Sequence, residues 1–589
     1  MPLRLRKPPS IPRTRVRLAA PAAAAGRNPI HRQFSRPAAH PAHQHRHRPK
    51  GYILPTAAAA PTSSTPPISS THSNPHPHQP TIYALSTPPG KSAIAVIRIS
   101  GPSALTIYRS LTSPTTTSPT AAPTPRHALL RTLHHPQTRE VLDPGALCLF
   151  FPGPRSHTGE DVLELHVHGG VAIIRAVLAA VPVAAQGAGG VGGAAGGTRY
   201  AEPGEFTRRA FYNDRLSLPE IEALGETLDA TTEEQRRRAV RGAAGGLADR
   251  YERWRRQLVL ARGELEALID FAEDQHFEES NRELVAGVEL RVRQLRERLR
   301  VHVGNAVRGE LLKNGISLSL VGAPNVGKSS LLNTVVGREA VIVSPEAGTT
   351  RDVVDLAVDV GGFMVVLGDT AGLRVDDVGV GMVEEEGIKR ARARAMSADV
   401  VVAVVDIVVN DDHSVGLRVS PELEKLVNEA EEAGKEVVAV VNKTDLHPAA
   451  ADALPMDVVR QVNDAFPNIR DDRIFGVSCR KRTEHGIQRL LNGLTGIFQH
   501  MTSPLSPTAG ASAAEMYESI GATERQRVLV EACISFLDDF LEMVEDGEDV
   551  DVVVAAEELR GAAECLGRIT GRGEMAGDVE EVLGVVFEK

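Results

Sequence analysis

A glycine-rich loop, Gly322–Ser329, constrains the fold of this chain more than any other segment. It reads Gly-Ala-Pro-Asn-Val-Gly-Lys-Ser and stands between the apolar run Ile316–Val321 and the helix-like segment Leu331–Val336. A strand, a glycine-rich turn and a helix N-terminus in this order direct backbone N–H groups at phosphate oxygens. Lys328 can then reach the outer phosphates, and the Ser329 hydroxyl can ligate Mg2+. The loop therefore predicts a nucleotide hydrolase.

Two later motifs indicate which nucleotide binds. Asp369-Thr370-Ala371-Gly372 follows the strand-like run Phe363–Leu367, which places an acidic group and a backbone N–H beside Mg2+ and the terminal phosphate. Asn442-Lys443-Thr444-Asp445 follows the run Val437–Val441. The Asp445 carboxylate can accept from both N1–H and the exocyclic amine of guanine, whereas adenine lacks that pair of donors. The predicted nucleotide is GTP.

Two more pieces complete the predicted GTP site. Ser478-Cys479-Arg480 follows the run Ile474–Val477 and takes the place of the last guanine-contacting loop. Thr349-Thr350 supplies a switch threonine, so the predicted Mg2+ ligands are Ser329 and Thr350. A degenerate, purely structural domain is the alternative interpretation. The predicted GTP-binding residues are Asn325, Val326, Gly327, Lys328, Ser329, Ser330, Ser344, Thr349, Thr350, Asp369, Thr370, Ala371, Gly372, Asn442, Lys443, Asp445, Ser478, Cys479 and Arg480.

Length and cysteine content favour a multidomain protein of a reducing compartment. A chain of 589 residues exceeds one hydrophobic core, so roughly three or four domains are expected. No apolar run reaches the ~18 residues that a membrane span needs. The four cysteines, Cys148, Cys479, Cys533 and Cys565, show no paired spacing, which argues against a disulfide framework and against a zinc site.

The first eighty residues have the composition of a targeting segment. Residues 1–139 contain no Asp or Glu, and the first fifty carry twelve Lys and Arg among Ala, Pro and Ser. This predicts a mitochondrial transit peptide and a location in the matrix. Arg32-Gln33-Phe34-Ser35 resembles a processing site with cleavage after Phe34. The alternative is a disordered basic tail that stays in the cytosol or binds nucleic acid.

The charge balance of the remaining chain limits how it can contact RNA. Removing the twelve cations of the first fifty residues from a formal net charge of −9 leaves −21. A protein that grips RNA by neutralising phosphates has the opposite balance. Any contact with nucleic acid is therefore expected to be local or to be supplied by a partner.

The rest of the chain divides into four segments. Residues 81–218 mix short strands with turns, and residues 219–313 are predicted to be helical, with Glu233–Leu260 and Glu283–Val303 dense in Glu, Arg and Leu. The nucleotide domain is assigned to residues 314–498, and helical sequence resumes in residues 499–589. We predict an α/β multidomain fold in which a Ras-like P-loop domain, with a mostly parallel sheet, is inserted into a helical domain.

The N-terminal block contains a specific set of short motifs. They are Thr81-Ile82, Thr87-Pro88-Pro89-Gly90, Arg98-Ile99-Ser100-Gly101, Phe151-Pro152-Gly153-Pro154, Thr158-Gly159-Glu160-Asp161 and Pro203 to Phe211. With these motifs, residues 81–589 resemble the tRNA modification GTPase family, MnmE or TrmE, in its mitochondrial form. The resemblance implies that the N-terminal block is an α+β folate-binding domain related to aminomethyltransferases. It also implies that this block mediates a homodimer and holds 5-formyl-tetrahydrofolate, or a related folate, between the subunits.

The resemblance assigns three residues to the folate. Arg98, Glu164 and Arg215 match the family's contacts, in which arginine pairs with the glutamate tail and a carboxylate accepts from the pterin. The family has lysine in Asn-Asp-Lys-Leu, whereas this chain has arginine at position 215, so the charge is kept and the geometry changes. From the residues alone, structural ion pairs are the alternative.

The resemblance also implies a catalytic glutamate. Ras-like proteins place a glutamine just after Asp-x-x-Gly to orient the attacking water, and Leu373 stands there in this chain. Glu384 matches the family's catalytic glutamate, and Glu385 and Glu386 are its neighbours. A solvated acidic face is the alternative interpretation of this segment.

A potassium site is implied in the same way. Asn325 and the segment Ser344–Thr349 resemble the family's site, in which K+ neutralises charge that grows between the outer phosphates when two nucleotide domains pair. This implies hydrolysis that is stimulated by potassium and depends on dimerisation. The alternative for Asn325 is a role in shaping the loop. The predicted K+ ligands are Asn325, Ser344, Glu346 and Thr349.

The last residues depart from the family pattern. Family members end in Phe-Cys-Ile-Gly-Lys, and that cysteine is counted among the residues needed for tRNA modification. This chain reads Leu-Gly-Val-Val-Phe-Glu-Lys over residues 583–589. The two expectations are a truncated gene model or a GTPase whose modification chemistry is impaired.

The resulting prediction is a homodimeric mitochondrial GTPase that acts on tRNA. With an FAD-dependent partner subunit similar to MnmG (GidA), it would add a (carboxymethyl)aminomethyl-type group to carbon 5 of the wobble uridine of mitochondrial tRNA. The chain has no Rossmann glycine fingerprint, so flavin and nicotinamide are expected on the partner. The alternatives are an RNA-binding or ribosome-assembly GTPase switch without covalent chemistry and an inactive structural paralogue.

Overall fold

The computed structural model describes twelve stretches of the chain, and all structural statements below concern them. These are residues 79–113, 121–186, 197–272, 281–338, 341–342, 356–368, 392–409, 415–446, 454–480, 484–505, 513–546 and 551–572.

The N-terminal domain is built on a six-stranded sheet. Its strands are β1 (Thr81–Leu85), β2 (Ile94–Ser100), β3 (Leu129–His134), β4 (Val141–Phe151), β5 (Val162–His168) and β6 (Thr198–Tyr200), in the order β3-β4-β5-β2-β1-β6. The helices are α1 (Ala104–Thr112), α2 (Val171–Ala185) and α3 (Glu205–Tyr212). Successive strand residues point to opposite faces, so Ile97 and Leu165 join the core with α1 and α2 while Arg98 and Glu164 lie on the other face.

The helical domain is assembled from segments on both sides of the nucleotide domain. Before it come α4 (Leu218–Asp229), α5 (Glu233–Ala243), α6 (Gly246–Ala272) and α7 (Asn281–Asn314). Buried residues of α6 and α7, including Tyr251 and Leu299, share one core with Leu537, Phe540 and Leu566 from the C-terminal part of the chain. The nucleotide domain is thus inserted between two halves of one hydrophobic core.

The predicted helical segment Glu233–Leu260 is divided into two helices. α5 ends at Ala243, and Gly245 adopts a φ of 78°, a backbone conformation that other residues rarely take. α5 then packs on the nucleotide domain, where the Glu234 N–H donates to the Gly362 carbonyl at 3.1 Å.

The nucleotide domain contains the second, eight-stranded sheet. Its strands are β7 (Ile316–Val321), β8 (Val341–Ile342), β9 (Leu356–Val360), β10 (Phe363–Leu367), β11 (Val400–Val409), β12 (Val415–Arg418), β13 (Glu436–Asn442) and β14 (Ile474–Gly476). The order is β14-β13-β11-β7-β10-β9-β8, with β12 paired to β11. Strands β14, β13, β11, β7 and β10 are parallel, and the others pair antiparallel. The predicted mostly parallel sheet is confirmed.

Helices cover both faces of this sheet. They are α8 (Lys328–Arg338), α9 (Pro421–Glu432), α10 (Met456–Ala465) and α11 (Glu484–Thr502), followed by α12 (Ala513–Ser519), α13 (Glu524–Asp546) and α14 (Val552–Thr570) of the helical domain. The residues Val400–Val405 are all buried, as expected for a parallel strand covered on both faces. No helix in the described stretches is long and apolar enough to cross a membrane.

A buried histidine joins three helices of the helical domain. His302 on α7 is hydrogen-bonded to the Tyr251 hydroxyl on α6 at 2.8 Å and to the Ser519 hydroxyl on α12 at 2.9 Å. Burial lowers the pKa of His302 to about 3, and the positive charge of nearby Arg250 adds to the lowering. The histidine is therefore neutral in the folded protein at any physiological pH.

We expect this histidine to make the helical domain sensitive to acid. An unfolded histidine has a pKa of about 6.5, so between that pH and about 3 the unfolded chain binds a proton that the folded chain does not. Stability therefore falls as the pH falls through this window, by about 2 kcal/mol at pH 5 relative to pH 8. His302→Gln should lack this loss of stability between pH 8 and pH 5. Trp254, the single tryptophan, lies 5.3 Å from the His302 ring and reports unfolding by fluorescence in urea. An equal loss of stability at pH 5 in both proteins would contradict this assignment.

Candidate functional site

The phosphate-binding loop is formed where β7 ends and α8 begins. Gly322, Asn325 and Gly327 have φ angles of 153°, 60° and 100°, so three residues of the loop adopt positive φ. The Lys328 ammonium, at the first residue of α8, donates to the carbonyls of Gly322 and Ala323 at 2.9 Å each. Burial lowers the pKa of Lys328. The lysine is held across the loop, at the position from which an ammonium meets bound phosphate.

Asn442, the first residue of the Asn-Lys-Thr-Asp motif, is hydrogen-bonded to the phosphate-binding loop. Asn442, at the end of β13, is 2% exposed and its amide donates to the Val326 carbonyl at 2.7 Å. A Cβ added at Gly327 would lie well under 3.0 Å from the Asn442 amide nitrogen. Glycine at position 327 is therefore required both by its backbone conformation and by the close approach of Asn442.

Hydrogen bonds at the ends of β13 and β14 position the rest of the Asn-Lys-Thr-Asp motif. The Val477 N–H donates to Val441, and the Thr444 N–H donates to Val477, at 2.9 and 3.2 Å. These contacts bring Ser478 to Asp445, where the serine hydroxyl donates to the carboxylate at 2.6 Å. The predicted base-recognition residues Asp445 and Ser478 are thus neighbours, and the serine fixes the orientation of the carboxylate.

Cys479 and Arg480 occupy the outer part of this loop. Cys479 is half-buried, and burial raises the pKa of its thiol. Arg480 is exposed, as are Ser329 and Ser330 in the first turn of α8. The loop residues therefore present a thiol that stays protonated and an exposed guanidinium at the edge of the site.

A buried carboxylate that the sequence analysis missed lies beside the lysine of the guanine motif. Asp406, 1% exposed, accepts from the Lys443 ammonium at 2.6 Å, and Arg418 on β12 approaches it at 3.9 Å. Asp406 stands opposite Asn442 in the β11–β13 register. A charged residue at the end of the apolar run Val400–Val405 was the signal available in the sequence. Asp406 holds Lys443 at the place where guanine is expected. The backbone of Lys443 is left-handed there, with a φ of 61°.

Several predicted site residues lie outside the described stretches. They are Ser344, Glu346, Thr349, Thr350, Asp369, Thr370, Ala371, Gly372 and Glu384. The Mg2+ and K+ assignments that involve them therefore stay predictions. Within the described stretches, no group of three or more His, Cys, Asp or Glu side chains could hold a metal ion.

A second polar cluster lies on the exposed face of the N-terminal sheet. Arg98 and Glu164 are cross-strand partners, and the guanidinium donates to one carboxylate oxygen at 3.0 Å from Nε, with the terminal nitrogen at 2.9 Å. The Arg98 guanidinium carbon lies over the ring of Phe206 on α3, 5.8 Å from the ring centroid. Arg215 donates from Nε to the Ser156 carbonyl at 3.0 Å. The structure thus pairs Arg98 with Glu164, and this pair offers a cation and a carboxylate to a ligand.

Two histidines that were not assigned to the folate belong to this cluster. Burial, and then the nearby Arg98, lower the pKa of His157, so its imidazole is neutral at physiological pH. His166 places Nε2 3.6 Å from Glu164, and this nitrogen is buried without a hydrogen-bond partner in the described part of the chain. An unpartnered buried ring nitrogen beside an ion pair fits a site that receives a polar ligand. His157 directly precedes Thr158-Gly159-Glu160-Asp161, a position from which it could have been predicted.

These features define the class of protein. A mostly parallel sheet carries a phosphate-binding loop after β7, and an Asn-Lys-Thr-Asp motif at the end of β13 contacts that loop and faces a serine after β14. This combination is a P-loop GTPase domain. Here it is inserted into a helical domain and follows a separate α/β domain.

Comparisons with known proteins give the family. Residues 81–215 match the family model for the GTP-binding protein TrmE N-terminus, and residues 218–589 match the MnmE helical domain. The chain is 37% identical over 516 residues to the mitochondrial tRNA modification GTPase mss1 of Schizosaccharomyces pombe, which covers 87% of this chain and 95% of that protein. It is 38% identical over 507 residues to tRNA modification GTPase MnmE of Parvibaculum lavamentivorans, covering 86% and 98%.

A vertebrate relative carries a more specific name. The chain is 36% identical over 513 residues to the Homo sapiens protein named 5-taurinomethyluridine-tRNA synthase subunit GTPB3, mitochondrial, covering 86% of this chain and 92% of that protein. The chain belongs to the MnmE/TrmE family of tRNA modification GTPases, and the resemblance found in its motifs is confirmed.

Proposed function

We propose that this chain is the GTP-hydrolysing subunit of a mitochondrial complex that modifies carbon 5 of the wobble uridine of tRNA. The observation that carries the proposal is the presence of two sites in one chain, a GTPase site and the Arg98–Glu164 cluster in a domain that matches the TrmE N-terminus. An RNA-binding GTPase switch accounts for the first site and leaves the second unexplained. The names of the relatives support tRNA as the substrate and the mitochondrion as the location. A location in the matrix is proposed from the leader sequence.

The GTPase site would work through residues with separate tasks. Asp445, oriented by Ser478, selects guanine, while Lys328 and the N–H groups of the loop hold the phosphates. Asn442 couples the two tasks, because the same side chain supports the phosphate-binding loop and begins the guanine motif. Mg2+, with Ser329 and Thr350 as its protein ligands, would supply charge neutralisation at the outer phosphates. Glu384 would orient the attacking water.

Potassium is proposed as the second cation of the site, with Asn325, Ser344, Glu346 and Thr349 as its ligands. Asn325 is exposed and left-handed at the mouth of the loop, which leaves its side-chain oxygen accessible. We expect GTP turnover of the full chain to be at least about tenfold faster in KCl than in NaCl at equal ionic strength. Asn325→Ala should remove most of this difference, with Asn333→Ala on α8 as the matched control. Equal rates in both salts for the wild-type chain would exclude the potassium site.

The folate is proposed to bind at the cluster formed by Arg98, Glu164 and Arg215. Glu164 can accept from a pterin, and Arg215, whose side chain is exposed, can donate to a carboxylate. His166 offers its unpartnered ring nitrogen as a further contact. The bound folate, 5-formyl-tetrahydrofolate or a related species, would supply the one-carbon unit. A second copy of the chain and an FAD-dependent subunit similar to MnmG are the proposed protein partners.

A further inference from the structure

A cavity of about 100 Å3 lies where α6, α7 and α12 meet in the helical domain, away from both sites described above. It is bounded by arginines from two of these helices and by polar groups at its base. The residues that matter are Arg250, Arg253 and Trp254 on α6, Arg298 and His302 on α7, and Ser519 on α12.

The base of the cavity contains an unused hydrogen-bond donor. Arg250 is 3% exposed and donates from one terminal nitrogen to the Glu515 carbonyl and the Ser519 hydroxyl, at 2.7 and 2.9 Å, and from the other to Glu518. Its Nε is buried and has no hydrogen-bond partner among the residues that the structure describes. A buried guanidinium N–H without an acceptor costs free energy, and Arg250 is one of the residues that line the cavity.

The rim of the cavity carries cations that are poorly paired. Arg298 is half-buried and has no carboxylate at ion-pair distance among the described residues. Arg253 is 57% exposed and reaches Glu515 only at 3.9 Å. Three guanidinium groups thus meet at one small cavity beside two carboxylates, Glu515 and Glu518.

Arginines elsewhere on the same two helices are paired more closely. Arg256 on α6 meets Glu252 at 3.1 Å, and Arg300 on α7 meets Asp538 at 3.2 Å. The weak pairing of Arg253 and Arg298 is therefore a local property of the cavity and not a general property of these helices. An excess of positive charge remains at this place on a chain whose body is acidic.

We propose that this cavity binds a backbone phosphate of the tRNA, with Arg298 and Arg253 at its rim and Arg250 at its base. A phosphodiester carries one negative charge and several acceptor oxygens, which suits three converging guanidinium groups. The assignment rests on the proposed function, because it takes tRNA as the substrate. It supplies the local contact that an acidic protein needs in order to hold RNA.

The test is the binding of fluorescently labelled mitochondrial tRNA to the full chain at a series of KCl concentrations. Arg298→Gln and Arg253→Gln should each weaken binding about tenfold. Each should also lower the slope of log affinity against log salt by about 0.9 for a duplex contact or about 0.7 for a single strand. The matched controls Arg300→Gln and Arg256→Gln, on the same helices, should change neither quantity.

Three outcomes would overturn the proposal. The first is that the cavity variants bind tRNA with the affinity and slope of the controls. The second is that the cavity variants lose binding of inorganic phosphate while their tRNA affinity and salt slope stay at the control values, which would assign the cavity to a small phosphate compound. The third is that the variants no longer bind the FAD-dependent subunit while they still bind tRNA normally. The cavity would then belong to a protein–protein interface.

Failure of this inference can be told apart from failure of the proposed function. In a strain that lacks the gene, the wild-type chain should restore the modified uridine. If it does so while the cavity variants bind tRNA normally, the cavity assignment fails and the function stands. If the wild-type chain restores nothing, the proposed function fails first.

Discussion

Replacing Gly327 by alanine should lower GTP affinity by more than about 100-fold, which is equivalent to about 2.7 kcal/mol. Alanine at a φ of 100° is strained, and its Cβ would collide with the Asn442 amide nitrogen. The loop would have to move away from Asn442, which breaks the amide's hydrogen bond to Val326 and misplaces the N–H groups that meet the phosphates. Backbone strain of about 1–3 kcal/mol and the lost hydrogen bond together account for an effect of this size.

The measurement is a fluorescence titration of the full chain with a labelled GTP analogue. Gly263→Ala is the matched control, because an added Cβ meets nothing within 4 Å on α6 and alanine is the better helix former. It should bind GTP as the wild type does and melt at the same or a slightly higher temperature. If Gly327→Ala binds GTP within about threefold of the wild type, the loop is not the nucleotide site that the geometry indicates.

Glu384→Ala should lower kcat for GTP hydrolysis by about 100-fold or more while GTP affinity changes little. The reason is that Leu373 stands where Ras-like proteins place their water-orienting glutamine, so another side chain must orient the water. The measurement is single-turnover hydrolysis in KCl, with the dissociation constant for GTP measured separately.

Glu385→Ala and Glu386→Ala are the controls for this prediction, because both remove a charge from the same acidic run. We expect their rates to stay within about threefold of the wild type. If one of them loses hydrolysis and Glu384→Ala does not, the catalytic role belongs to the neighbouring glutamate. If none of the three loses it, the water is oriented from elsewhere.

The strands that flank the nucleotide site were predictable almost to the residue. Ile316–Val321 and Phe363–Leu367 coincide with β7 and β10. Central strands of a parallel sheet are covered on both faces, so they are rich in apolar residues, with Ser317 and Ser319 as the two polar residues of β7, and here a phosphate-binding motif bounds each strand. The helical segment Glu233–Leu260 was less predictable, because only the left-handed conformation of Gly245 shows that the chain turns there.

Contacts across the sheets were harder to predict than the motifs themselves. Arg98 and Glu164 are 66 residues apart, and only the β2–β5 register makes them direct partners. The same holds for Asp406 and Lys443, which meet because β11 and β13 are adjacent and in register. Sequence periodicity gives the face on which a side chain lies, whereas its neighbour on that face depends on strand order and register.

The most direct test of the account is the mass-spectrometric analysis of wobble uridines in mitochondrial tRNA from a strain that lacks this gene. The strain would carry the wild-type chain, Gly327→Ala or Glu384→Ala at equal expression. The account predicts that the wild type restores the carbon-5 modification and that neither variant does. Wobble uridines that are unchanged by loss of the gene, or full restoration by Glu384→Ala, would contradict the claim that GTP hydrolysis by this chain drives tRNA modification.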